Sequence, residues 1–135
     1  MISSGSKTLA ECIDTIEASY EFMLAYAAQG RDDEATGTSP SIRQVLSALQ
    51  SALNGLSAQV KSELGPHAGQ LSEFITLIQN DARRAATVVG AALAAPIIGS
   101  QLIDNLNASV HVRTALTNVF LIDELTKSFR RAGPT

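Results

Sequence analysis

The sequence predicts an all-α, up-and-down bundle of about four helices, and three observations carry that expectation. Apolar side chains recur every three or four residues through three long stretches, the period of one helical face. The composition is 45% hydrophobic but only 4% aromatic, without Trp, which favours helices packed through Ala and Leu over a sheet. The third observation is the run from Ala85 to Ile103, AATVVGAALAAPIIGSQLI, uncharged and apolar on every side. A helix of that kind must be enclosed. At 135 residues the chain is expected to form a single domain spanning 1–135 with a core of its own.

Residues 1–7 are expected to be a flexible N-terminus. Helix one then starts at Thr8, where Thr8 and Glu11 have the spacing of a capping box. Leu9, Ile13, Ile16, Tyr20, Met23 and Ala27 form its apolar seam. Phe22 falls off that seam and predicts a second neighbour for the helix. Residues 30–39 read as an acidic loop: Gly30 closes helix one and Ser39-Pro40 opens helix two. Asp32, Asp33 and Glu34 lack the alternating ligands and central Gly of a calcium loop and read as solvated. Helix two is the cleanest element, with Ile42, Leu46, Leu49, Leu53, Leu56 and Val60 on one face. Gly65-Pro66 stops it and places His67 in a surface turn.

Helix three begins amphipathic, with Leu71, Phe74, Ile75, Ile78, Ala82, Ala85 and Val89 on one face. After Thr87 its polar face disappears. Pro96 must kink or break the chain. A straight helix from Leu71 to Arg130 would be roughly 90 Å long at 1.5 Å per residue, too long for one compact domain. The last helix is expected to run on from Ser100, ending in Lys127, Arg130 and Arg131, charges that suit its C-terminal dipole. Residues 132–135 are expected to be a flexible C-terminus.

Two features of this half bear on function. The uncharged stretch predicts a dimer interface, with Val89, Ala92, Leu93, Ile97, Ile98, Leu102 and Leu106 as its contacts, because large apolar patches rarely stay exposed. On the last helix Ser100, Asp104, Asn107, His111, Thr114 and Asn118 fall in one polar stripe. It is either the solvent edge of a buried helix or an internal polar seam. Asp104, Asn107, His111 and Arg113 are the candidate ligand-binding residues. Arg113 points away from the stripe, towards Leu102, Leu106, Leu116 and Phe120, and an unpaired buried guanidinium is costly. It is therefore expected to meet a carboxylate on another helix, Glu124 of an antiparallel second copy being a candidate.

The remaining chemistry is sparse. Net charge is −3 with no basic block, so nucleic acid is not an expected partner. Glu11, Asp14, Glu17 and Glu21 read as a solvated face, since no Glu-x-x-His pair accompanies them, and no metal or other cofactor is expected. Phosphate loops and Cys-x-x-Cys pairs are missing from the sequence, and no set of catalytic residues is assigned. The single Cys12 reads as a core residue in a reducing compartment. MISSGSK lacks the apolar core of a signal peptide, so a cytoplasmic location is expected. The function expected is a non-catalytic interaction or regulatory module, or a small subunit of a larger assembly, self-associating through 85–103. One alternative is a ligand-binding or enzymatic bundle with a polar pocket on the last helix. The other is membrane insertion of 85–103, against which Pro96, Gly99, Ser100 and Gln101 argue.

Overall fold

A computed structural model describes residues 8–34, 37 and 39–132. Among them there is no strand; the expected flexible segment 1–7 and residues 133–135 lie outside this range. Five α-helices follow one another: α1 (Leu9–Ala27), α2 (Ile42–Leu64), α3 (Ser72–Leu93), α4 (Ser100–Ala108) and α5 (Val110–Ala132). A 3-10 turn, Gly65–Leu71, joins α2 to α3.

The sequence signals at the starts of α1 and α2 act as expected, whereas Gly65-Pro66, expected also to begin helix three, opens the 3-10 turn and α3 starts only at Ser72. The Thr8 hydroxyl accepts from the Glu11 N–H, and the Glu11 carboxylate accepts from the Thr8 N–H, closing the capping box. A second box caps α2, with Ser41 and Gln44 in the same reciprocal roles. It sits just after the Ser39-Pro40 pair expected to open that helix.

α2 and α3 run antiparallel. Arg43, at the start of α2, bonds to the Leu93 carbonyl at the end of α3, and Gln50 bonds to the Ala86 carbonyl about two turns earlier. Gly90 permits that approach, since a Cβ there would lie 2.7 Å from the Gln50 amide nitrogen. Asn118 of α5 reaches Asp81 of α3, and Arg130 reaches Glu63 of α2 at the far end. Three positions of the bundle are thus filled by α1, α2 and α3. The fourth is shared by a broken pair, α4 lying mainly along α1 and α5 mainly along α3.

The uncharged stretch is only partly enclosed by this bundle, with Thr87, Ala91, Ala94, Pro96, Ile97 and Gln101 exposed. Ala85, Ala86, Val89 and Ala92 of α3 are buried, as are Ile98 in the link after Pro96 and Ile103 of α4. The break near Pro96 occurs as expected, with α3 ending at Leu93 and α4 starting at Ser100. The continuous last helix does not: Ser109 adopts an extended ψ of 131° and divides α4 from α5. Neither Pro nor Gly marks that position; its one local sign is the serine, a residue favoured at helix starts, whose carbonyl accepts the Arg113 N–H. The break also cancels the register on which the six-residue polar stripe depended. Ala132, expected to be flexible, is the last residue of α5.

Candidate functional site

The densest polar arrangement lies where α1 ends, α2 begins and the link between α3 and α4 passes. Arg43 grips Glu34 with both arms of its fork, Nε to Oε1 at 2.9 Å and Nη2 to Oε2 at 2.8 Å. Its remaining N–H groups donate to the carbonyls of Leu93, Ala95 and Pro96, capping the exposed C-terminal end of α3. Glu34 also accepts the Ile98 N–H at 3.2 Å. The Arg43 fork holds the Glu34 carboxyl below its ordinary value of 4.5; partial burial opposes this and the Ile98 N–H adds to it.

Beside this pair a second set of bonds closes the same end. The Tyr26 hydroxyl donates to the Ile98 carbonyl at 2.6 Å, and burial, aided by the negative charge of Glu34, pushes its phenol above 10.0. Ser100 donates its hydroxyl to the Tyr26 carbonyl at 2.7 Å and accepts the Arg31 N–H at 2.8 Å. Its own N–H returns to the Arg31 carbonyl. Gly99 must be small here: a Cβ would sit 2.9 Å from the Arg31 carbonyl oxygen. Glu34 is therefore not merely solvated, and the acidic loop is tied to the bundle through it. The chemistry of this end is that of a clasp. Its charges are neutralised by one another and by helix-end carbonyls.

The candidate ligand residues do not converge. Asp104 and His111 are exposed, while Asn107 is buried against α1 and donates to the Met23 carbonyl at 3.2 Å. The Asn107 Oδ1 is buried and has no hydrogen-bond partner among the described residues. Arg113 is exposed on α5. No hydrogen bond or ion pair joins any two of these four among the described residues. Expected to face the core or a partner, Arg113 does not face the core of its own chain, and its neighbour Phe120 is 58% exposed. The proposed interface residues divide too. Val89, Ala92, Ile98 and Leu106 are buried within the chain itself, Leu93 and Leu102 are half-buried, and Ile97 is 59% exposed.

What α5 presents instead is a mixed apolar face. Val112, Ala115, Val119, Ile122 and Thr126 turn inward. Opposite them Val110 is 67%, Phe120 58% and Leu121 53% exposed. Between this face and α1 runs an open groove of about 440 Å³, with Tyr20, Val110, Leu116 and Phe120 as apolar walls and Arg113, Thr114 and Thr117 as polar ones. Sequence reasoning missed it because the groove exists only where Tyr20 of α1 and the α5 residues come side by side. The clasp residue Arg43 had left a signal: a cation in the first turn of a helix opposes the dipole and needs a partner.

Among the described residues no cluster of His, Cys, Asp and Glu could hold a metal ion. No helix there is long and apolar enough to cross a membrane. The chain matches no protein-family model, and comparison with curated proteins and with solved structures gives no match either.

Proposed function

We propose that this chain is a non-catalytic helical interaction module that self-associates and acts as a small structural or regulatory subunit. The observation that supports this most is the exposed trio Val110, Phe120 and Leu121 beside the groove against α1. Scattered single apolar residues on a surface are ordinary, but large ones grouped along a helix beside a concavity favour a protein contact. Ile97, the exposed large side chain of the uncharged stretch, stands apart from this trio as a single apolar residue of the ordinary kind. The polar groups of the clasp are engaged with one another, which favours a structural role for that end. Sedimentation across a wide concentration range tests the reading. The expected mass rises from the 14.2 kDa of one chain towards about twice that value as concentration increases, the twofold dimer being the commonest oligomer. A mass fixed at that of one chain up to sub-millimolar concentration would refute self-association.

A further inference from the structure

We infer that a second copy of this chain docks antiparallel along the outer face of α5, with Arg113 of each copy paired to Glu124 of the other. The inference rests on the self-association proposed above and assigns it a surface. Arg113 and Glu124 both lie on the outward side of α5, opposite Val112, Val119 and Ile122, and both are exposed. Glu124 is 72% exposed at its side chain and has Lys127 at 3.6 Å, while Arg113 has no ion pair among the described residues.

The spacing on the helix makes this face its own complement. A twofold axis crossing α5 midway between positions 113 and 124 puts each arginine against the partner's glutamate, so one contact is made twice. The same axis lies midway between 117 and 120. It therefore sets Phe120 of each copy against Thr117 of the other, and Thr117 is a wall of the groove beside Tyr20 and Leu116. The groove of about 440 Å³ has room for the incoming phenyl ring. Charge pairing and apolar filling thus demand one register, which neither alone would fix. A parallel arrangement would instead set Arg113 beside Arg113 and lose both. The paired guanidinium and carboxylate remain at the rim, where they specify register more than they add affinity.

The experiment is charge reversal with rescue, read by sedimentation of the full chain, with circular dichroism confirming unchanged helix content in each variant. Arg113→Glu and Glu124→Arg occupy exposed positions, so the fold tolerates both. Each alone is expected to weaken association about tenfold by setting like charges opposite one another twice. The double variant, with the pair inverted, is expected to return to within about twofold of the original affinity. Ile97→Glu serves as the contrast on the uncharged stretch and is expected to leave association unchanged. Association that ignores both reversals, or a double variant as weak as the single ones, would overturn the α5 assignment while self-association stands. Loss of association in Ile97→Glu alone would do the same and return the interface to residues 85–103. A wild-type chain that stays monomeric would overturn both proposals and leave the face to a different occupant.

Discussion

Arg43 is the residue that breaks a local rule and is compensated for it. A guanidinium in the first turn of α2 opposes that helix's dipole, yet it lies where the α3 carbonyls run out of partners. One side chain thus caps one helix while sitting at the wrong end of another, and Glu34 makes the arrangement neutral. The Glu34 carboxyl is held below 4.5, so the ion pair contributes fully above that ordinary value and fades as pH falls through the lowered one. Glu34→Gln is expected to lower the melting temperature by a few degrees at neutral pH. The gap between variant and wild type should close in strong acid, where both side chains are uncharged. Melting curves from neutral to strongly acidic pH check this, and a gap that stays constant would show that charge contributes nothing. The signal was present in the sequence as a misplaced cation, but its partner was not. Nothing in Asp32, Asp33 and Glu34 as a run distinguishes the one carboxylate that turns inward.

At the scale of elements, the helices whose limits are set by local chemistry were the legible ones. Thr8, Ser39-Pro40 and Gly65-Pro66 mark their boundaries because capping and proline act within a turn. The division at Ser109 was missed, since Ala108-Ser109-Val110 contains neither Pro nor Gly and a lone serine in an apolar pattern is a weak sign of a new helix start. That omission displaced the reading of the last helix: two members of the polar stripe, Ser100 and Asn107, are buried, while Arg113 and Phe120 are exposed. The uncharged stretch shows the converse case. Composition predicts enclosure on every side, but the chain itself buries only one side of the stretch, and composition does not say which surface covers which side. Ala92 is 5% exposed within one chain. Ala92→Glu is therefore expected to cost more than about 3 kcal/mol, as for other unpaired charges forced into a core. Its effect on melting should be equally large at low and high protein concentration. A shift that appears only at concentrations where copies associate would move Ala92 to an interface.

Across the whole molecule, the class and the helical periodicity were readable because every turn of α1, α2 and α3 repeats the same apolar pattern. The clasp was not, since its bonds connect positions 69, 72 and 74 residues apart, and no local pattern encodes a contact at that range. That separation has a kinetic meaning. α2 and α3 meet across one short turn, and α1 and α2 across one loop, so their contacts close small loops and can form early. Tyr26, Arg31 and Ser100 can join only after α3 has returned the chain to the end of α1. The clasp should accordingly be missing from the folding transition state and complete only in the native one. Removing one of its bonds should then leave the rate of folding almost untouched and speed unfolding. For Tyr26→Phe, a loss of about 1 kcal/mol corresponds to unfolding roughly fivefold faster. Stopped-flow measurements in denaturant read the two limbs separately, and a slower folding limb would place the clasp in the nucleus. With the folding limb unmoved, these three residues act as a brake on opening: they set how long the folded chain lasts, while the hairpins set how quickly it is reached.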